Sequence, residues 1–189
     1  MILSDSEIRD ALKTGELKIE DWDNLYIGPS SVDFHLDNRA KILDNDKIKK
    51  HRITNLRADK DESMVFSNYD GWKEIVIYPD EFYILSSVER FTFNSSIAGF
   101  IQGRSSLARI GISIHAAGFF DPNFSGTATL EVTNMTRYPI ALPKHTRIGQ
   151  MVFMRTGKAV GTGYHQKKDS KYQGQTGPTL TKLHEDFKS

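Results

Sequence analysis

The sequence predicts a mostly β fold with one short N-terminal helix and a polar C-terminal segment, and three observations support this prediction. Six short segments are rich in β-branched and aromatic residues and are separated by Gly, Pro, Asn and Asp, a pattern typical of strands. Only one stretch has a helical pattern. Residues 164–189 are polar, with several glycines and basic residues. Many short strands with few helices favour a closed or two-sheet β structure.

The helix is predicted over residues 4–14. Ser4-Asp5-Ser6-Glu7 has the spacing of a capping box, in which the first serine and the glutamate bond each other's backbone N–H groups. Ile8 and Leu12 lie four residues apart and so share one helical face, and Gly15 can end the helix.

The predicted strands are VDFHL (32–36), EIVIY (74–78), FYILSS (82–87), TATLEV (127–132), YPIAL (138–142) and IGQMVFM (148–154). Residues 44–64 between the first two strands are strongly polar. The basic run KIKKHR, residues 47–52, can serve as an anion patch, but its composition favours a solvated loop or face.

The composition narrows the class of protein. A chain of 189 residues, 38% of them hydrophobic, suggests one domain, or one domain with a tail. The net charge of +1 gives no general basic field for nucleic acid, so any anion must be held by a local cluster. The chain has no cysteine, which fits a reducing compartment. No apolar run approaches the roughly 20 residues that span a bilayer, and the N-terminus lacks the apolar stretch of a signal peptide. We expect a cytoplasmic protein without a membrane partner.

Gly103-Arg104-Ser105-Ser106 is predicted to be a tight turn that leads into a helical turn. Free backbone N–H groups at such a start, two hydroxyls and a guanidinium can bind phosphate oxygens. An ordinary capped turn has the same pattern. Arg109 also has two interpretations, since it can bind a ligand or be an ordinary surface arginine.

Three further residues invite a catalytic interpretation. His115 is of a residue type that often serves in acid–base catalysis, but a lone histidine in ISIHAAG is more often a packed strand residue. Asp121 lies in the turn sequence Asp-Pro-Asn, where it can bond its own backbone, accept from a ligand hydroxyl or orient a water. Glu131 shares one strand face with Thr127, Thr129 and Thr133, while Ala128, Leu130 and Val132 share the apolar face. The Thr/Glu face points either to solvent or into a cleft, where Glu131 would suit proton transfer.

The C-terminal segment also has two interpretations. It is either a frayed tail or a flexible arm that folds over an anionic ligand with Lys167, Lys168 and Lys171.

Five motifs occur in an order and at spacings that resemble the dCTP deaminase family, a branch of the wider dUTPase-like trimeric fold. They are GRSSLARIG, AGFFDPNFSG, TLE, RIGQMVF and SKYQGQTGPT, and the resemblance extends back to MILSD and PSSVDFHL. It implies a distorted β-barrel or jelly roll in residues 1–163 and an arm in residues 164–189 that closes over the nucleotide. It also implies a homotrimer with active sites between subunits.

The activity implied by the resemblance is deamination of dCTP at C4 of cytosine without zinc. The zinc deaminases need a P-C-x-x-C motif, which a cysteine-free chain lacks. Magnesium is expected to arrive with the triphosphate, and the sequence shows no dedicated metal cage.

The resemblance assigns roles to particular residues. Glu131 matches the general base, with a pKa expected to be raised. Ser105 and Arg109 match residues that position the water and the glutamate, and Asp121 matches the residue that faces the deoxyribose. The implied substrate-binding residues are Arg104, Ser105, Ser106, Leu107, Ala108, Arg109, Asp121, Thr129, Leu130, Glu131, Gln150, Tyr164, Lys171 and Gln175.

Some family members only deaminate, whereas others also release pyrophosphate and form dUMP. Gly118-Phe119 resembles the bifunctional members, since a small residue at 118 leaves room for a water near the α-phosphate. His115-Ala116-Ala117-Gly118 is one residue shorter than H-x-T-A-G and lacks the Thr, so His115 is left out of the catalytic set. The alternatives are a deaminase that releases dUTP and a plain dUTPase.

Overall fold

The computed structural model describes residues 1–50, 65–115 and 118–187 of the chain. The strands in these ranges are β1 Leu17–Glu20, β2 Tyr26–Ile27, β3 Val32–His35, β4 Arg39–Leu43, β5 Phe66–Asp70, β6 Glu74–Ile77, β7 Phe82–Phe93, β8 Ile97–Gly103, β9 Ile112–Ile114, β10 Phe119–Phe120, β11 Ser125–Asn134, β12 Ile140–Pro143 and β13 Arg147–Arg155. The α-helices are α1 Asp5–Thr14, α2 Asn45–Lys50 and α3 Ser105–Ala108. Tyr164–Gln166 and Leu183–Phe187 form 3-10 turns. The predicted mostly β fold is confirmed.

Helix α1 forms where the capping pattern predicts it. The Ser4 hydroxyl accepts from the Glu7 backbone N–H at 3.4 Å, and the Ser4 backbone N–H donates to the Glu7 carboxylate at 2.9 Å. Gly15 ends the helix in the left-handed region, with φ of 75°, where glycine is not strained. Ile8 is fully buried in the core. The predicted helix is therefore confirmed together with its cap.

The polar segment 44–64 differs in part from its prediction. Residues 45–50 form helix α2, which has no buried residue, so the expected solvated face is present but is helical. The Asp44 carboxylate explains the helix, because it accepts from the backbone N–H groups of Asp46 at 3.0 Å and Lys47 at 3.1 Å. Residues 51–64, including His51 and Arg52 of the basic run, lie outside the described residues.

The described strands form two large antiparallel sheets and one small one. The first has the order β5-β4-β7-β11-β9, with β1 also paired to β7, and the second has the order β10-β8-β13-β3-β2. Strands β12 and β6 form a two-stranded sheet. All six predicted strands overlap observed ones, namely β3, β6, β7, β11, β12 and β13, and those predicted at 32–36, 74–78 and 138–142 extend one or two residues too far.

Aromatic side chains join the two large sheets. Phe34 on β3 meets Phe91 on β7 edge to face, with ring centroids 6.2 Å apart. Phe93 on β7 meets Phe153 on β13 in the same way, at 5.9 Å. All four rings are buried. Strand β11, which carries Glu131, lies beside β7 in the first sheet and is therefore supported by this core.

A buried carboxylate also connects the sheets. Glu89 on β7 is 0% exposed, and its carboxylate accepts from the backbone N–H of His35 on β3 at 2.8 Å. The ring Nδ1 of His35 lies 2.6 Å from the same carboxylate, and Trp22 stacks on that ring at 3.9 Å. Both oxygens of the buried carboxyl group thus have hydrogen-bonding partners, as the interior requires. None of the described helices is long and apolar enough to cross a bilayer.

Candidate active site

A cavity of about 440 Å³ opens on the side of β11 that carries Glu131. Its walls come from β7, the 119–124 segment and the C-terminal segment. Its aromatic and aliphatic lining residues are Phe66, Phe82, Ile84, Phe119, Phe120, Phe124, Tyr164 and Tyr172, and its polar lining residues are Asp121, Thr129, Glu131, Gln175, Thr179 and Thr181. A mostly apolar cavity with a few converging polar groups is typical of a small-molecule site.

Strand β11 presents Glu131 to this cavity. Ala128, Leu130 and Val132 are buried in the core, at 0%, 1% and 0% exposure, so the alternate residues face the other way. Burial raises the pKa of Glu131. Because Thr129 and Glu131 line the cavity, this part of the Thr/Glu face points into a cleft.

A raised pKa suits a carboxylate that must take up and release a proton near neutral pH. Glu131 is also held rigidly, because its strand pairs with β7 on one side and with β9 on the other. The His115 backbone N–H donates to the Glu131 carbonyl oxygen at 2.9 Å, just beyond the end of β9. The backbone of Glu131 is thus held by hydrogen bonds on both sides.

Asp121 contributes a second carboxyl group. Its backbone carbonyl accepts from the Phe124 N–H at 3.2 Å, so the turn is closed by backbone atoms. The predicted alternative in which the Asp121 side chain bonds its own backbone is not what this turn uses. Within the described residues the carboxylate has no hydrogen-bond or ion-pair partner, and it lines the cavity. It is available to a ligand.

Gly118 is constrained by packing. Its carbonyl accepts from the Ile101 N–H at 2.9 Å, and a Cβ at residue 118 would lie 2.7 Å from the Cβ of Ile101. The close approach of the two backbones therefore requires glycine, independently of any role in catalysis. The Phe119 side chain is 58% exposed and lies at the cavity. Ala116 and Ala117 lie outside the described residues.

The C-terminal segment begins at the turn that follows Asp121. The Tyr164 N–H donates to the Pro122 carbonyl at 2.8 Å. A Cβ at Gly163 would lie 2.5 Å from the side-chain oxygen of Asn123, so this entry point also needs glycine. Tyr164 and Tyr172 are joined by a hydrogen bond from the Tyr172 N–H to the Tyr164 hydroxyl, at 3.1 Å.

The same segment then lies along the polar face of β11. Gln175 donates from its side chain to the Thr127 carbonyl at 2.7 Å, and its own carbonyl accepts from the Thr127 N–H at 3.1 Å. The N–H groups of Gly177 and Thr179 donate to the hydroxyls of Thr127 and Thr129, at 2.9 and 3.3 Å. Thr127 and Thr129, which share a face of β11 with Glu131, thus bind the C-terminal segment that covers this face.

The other predicted residues lie elsewhere. Helix α3 carries Ser105, Ser106 and Ala108, all exposed, with Leu107 partly packed on the core and Arg109 exposed at its end. None of these lines the cavity. Leu130 points into the core, so only its backbone can reach a ligand. Lys171 forms an ion pair with Asp186, which raises the pKa of the lysine.

Arg104 and Gln150 lie on neighbouring strands of the second sheet. Arg104 directly follows β8, and Gln150 lies on β13. Arg104 is paired with Asp33, with 3.4 Å between Nε and the carboxylate. The Gln150 side-chain carbonyl accepts from the Ser31 hydroxyl at 3.3 Å. Within one chain, Asp121, Thr129, Glu131, Tyr164 and Gln175 line the same cavity, whereas Arg104, Ser105, Ser106 and Gln150 do not line it.

Sequence reasoning missed several residues of the cavity. Phe82 and Ile84 face it because Thr133 and Glu131 pair with them across β7 and β11, and strand pairing is not visible in one sequence. Phe66 and Tyr172 come from distant parts of the chain. Among the described residues no group of three His, Cys, Asp or Glu side chains could hold a metal ion.

Solved structures with a similar chain trace define the class of fold. The 2'-deoxycytidine 5'-triphosphate deaminase of Agrobacterium tumefaciens superimposes with a TM-score of 0.62 at 21% identity, over 82% of this chain and 46% of that chain. The dUTPase of Staphylococcus bacteriophage 80alpha superimposes with a TM-score of 0.51 at 10% identity, over 77% of this chain and 94% of that one. The chain thus has the fold shared by dUTPases and dCTP deaminases.

Sequence comparison then identifies the family. Residues 2–156 match the dCTP deaminase-like family. The "dCTP deaminase, dUMP-forming" of Corynebacterium glutamicum strain R is 39% identical over 189 residues, which cover 99% of this chain and 98% of that protein. The protein of the same description from Mycolicibacterium gilvum is 36% identical over 189 residues. This chain belongs to the dCTP deaminase-like family.

Proposed function

We propose that this chain deaminates dCTP and releases dUMP, so that dCTP and two waters give dUMP, ammonia and pyrophosphate. The observation that carries the proposal is the pair of carboxyl groups in one cavity. Glu131 is half-buried with a raised pKa, and Asp121 has no protein partner among the described residues. Two carboxyl groups in different environments can serve two hydrolytic steps.

In the first step Glu131 acts as the general base. Its carboxylate takes a proton from a water, and the resulting hydroxide adds to C4 of the cytosine. The protonated carboxyl then passes its proton to the ring nitrogen, and a second transfer from the hydroxyl formed at C4 lets ammonia leave. With the nucleotide bound, the aromatic and aliphatic walls of the cavity would limit the access of bulk water to the proton that Glu131 transfers.

In the second step Asp121 orients a water toward the α-phosphorus. The bond from that phosphorus to the bridging oxygen breaks, and pyrophosphate leaves. Gly118 and Phe119 border the approach to Asp121, and we assign the coupling of the two steps to this segment. Magnesium would enter with the triphosphate, since the described residues offer no metal cage of their own.

We propose that a second copy of the chain completes each site. The predicted phosphate-binding turn, Arg104, Ser105 and Ser106, and the predicted substrate-binding residue Gln150 do not line the cavity of their own chain. In this proposal, however, one triphosphate must contact both groups. A homotrimer with sites between subunits would bring them together. Residues 164–189 would act as an arm over the nucleotide, attached through Thr127 and Thr129, and residues 1–163 as the β domain. A cysteine-free enzyme of nucleotide metabolism fits the cytoplasm.

The test is incubation with dCTP and magnesium, with separation of dUTP from dUMP and assay of ammonia. Stoichiometric dUMP and ammonia without free dUTP is the expected result. Accumulating dUTP would favour a deaminase alone, and pyrophosphate from dUTP without ammonia from dCTP would favour a plain dUTPase.

Glu131→Gln should abolish ammonia release while dCTP still binds. Glu74→Gln, which removes an exposed carboxylate on β6, is the matched control and should keep full activity. Ammonia release by Glu131→Gln would show that another group is the base.

A further inference from the structure

Two arginines share one carboxylate in the second sheet. Arg104 directly follows β8, and Arg147 is the first residue of β13. Asp33 on β3 is 7% exposed, and its Oδ2 lies 3.2 Å from Nη1 of Arg147 and 3.4 Å from Nε of Arg104. Arg147 was not among the residues predicted from the sequence. Two positive charges face one negative charge, so this Arg104–Asp33–Arg147 cluster carries a net charge of +1 and attracts a further anion.

The cluster keeps donors free for that anion. A guanidinium has five N–H donors. Arg104 directs Nε at Asp33 and Nη1 at the Arg147 carbonyl, 3.4 Å away, and Arg147 directs Nη1 at Asp33. The side chains of Arg104 and Arg147 are 28% and 38% exposed, so an anion can reach them from solvent.

The guanidinium of Arg147 is also held in place on its other side. Its Cζ lies 4.6 Å from the centre of the Tyr26 ring, a cation–π contact that restricts the plane of the guanidinium. Asp33 pairs in register with Gln150 on β13, next to the strand end that carries Arg147. The positions of both arginines are thus set before a ligand arrives.

We propose that Arg147 is a second phosphate-binding arginine beside Arg104, and that Asp33 is the positioning residue for both. The ligand is the polyphosphate of a nucleotide, because two guanidinium forks match neighbouring phosphate groups. The identification of that nucleotide as dCTP rests on the proposed function, whereas the recognition of phosphate rests on the cluster itself.

The test measures binding by calorimetry on the full chain with three probes, namely tripolyphosphate, dCTP and deoxycytidine. Arg147→Gln should weaken binding of tripolyphosphate and of dCTP about tenfold, as expected for loss of a hydrogen bond between charged groups. Binding of deoxycytidine should not change.

Arg155→Gln is the matched control. Arg155 lies at the other end of β13, its side chain is 37% exposed, and it pairs with Glu16 at 2.7 Å. Its replacement removes the same charge from the same strand and should leave binding of all three probes unchanged.

A folded Arg147→Gln variant that binds tripolyphosphate as tightly as the wild type would overturn the proposal, and the arginine would then only support Asp33. Wild-type protein that does not bind tripolyphosphate would overturn it as well. If thermal unfolding shows that Arg147→Gln does not fold, Arg147→Lys takes its place. This variant keeps the charge without the two-pronged geometry and should weaken tripolyphosphate binding about threefold, and wild-type affinity would again reject the proposal.

These binding measurements need no turnover. A protein that releases no ammonia but shows the expected order of affinities would contradict the proposed function and leave the role of Arg147 intact. A protein that converts dCTP to dUMP, but whose affinity for tripolyphosphate is unchanged by Arg147→Gln, would support the proposed function and contradict the role of Arg147.

Discussion

Replacing Thr127 by valine should loosen the C-terminal segment without altering the sheet beneath it. Thr127 is 3% exposed, and its hydroxyl accepts from the Gly177 N–H at 2.9 Å. Valine has nearly the same shape but no acceptor, so this buried N–H would be left without a partner at a cost of about 1–3 kcal/mol. Since about 1.4 kcal/mol corresponds to a factor of ten, local opening of the segment should increase about 5- to 150-fold. The backbone hydrogen bonds between Thr127 and Gln175 would remain.

Hydrogen exchange followed by mass spectrometry measures this opening directly. Peptides that cover residues 172–182 should exchange faster in Thr127→Val, while peptides from β7 keep their protection. Thr133→Val is the matched control, because Thr133 lies on the same face of β11 but its hydroxyl contacts the His115 ring at 3.2 Å. If residues 172–182 exchange at the same rate in Thr127→Val, Thr133→Val and the wild type, the hydroxyl of Thr127 does not hold the segment.

Two further predictions concern the carboxyl group and the subunits. Burial raises the folded-state pKa of Glu131. The free energy of unfolding of the wild type should therefore fall as the pH rises through that pKa, and that of Glu131→Gln should not. Urea unfolding between pH 4 and 8 measures both proteins, and a difference in stability that stayed constant with pH would contradict this prediction. Mixed oligomers of Glu131→Gln with Arg104→Gln should regain about one quarter of the wild-type activity if each site takes its carboxyl group from one chain and its arginine from another, as random assembly requires. Differently tagged subunits would establish that mixed oligomers form, and mixed oligomers without activity would mean that each site takes both residues from the same chain.

Local patterns in the sequence were sufficient for much of the fold. The capping box at Ser4 and the glycine at residue 15 set both ends of α1, because each acts within a few residues. The alternation in β11 correctly divides Ala128, Leu130 and Val132 from Thr129 and Glu131. Helix α2 was missed because its cap, Asp44, lies in a polar run that is also typical of a loop.

Contacts between distant segments could not be predicted in the same way. The pairing of Glu131 with Ile84 depends on which strands are neighbours. The alternation of residues within one strand does not show which strand lies beside it. The Glu89–His35 pair joins residues 54 positions apart. For the same reason the sequence did not decide whether the face of β11 that carries Thr127 is exposed or covered. The segment that covers it lies about 50 residues later in the chain.

The proposed site residues lie on two different sheets, and this explains why the resemblance to a family was needed to connect them. The first sheet carries Glu131 on β11 under the C-terminal segment, and the second carries Arg104 and Arg147 around Asp33. Neither group by itself indicates deamination, since a buried carboxyl group suits many hydrolyses and an arginine pair binds any polyphosphate. Under the proposed function, one deoxynucleoside triphosphate would place its base at Glu131 of one subunit and its phosphates at the arginine pair of another.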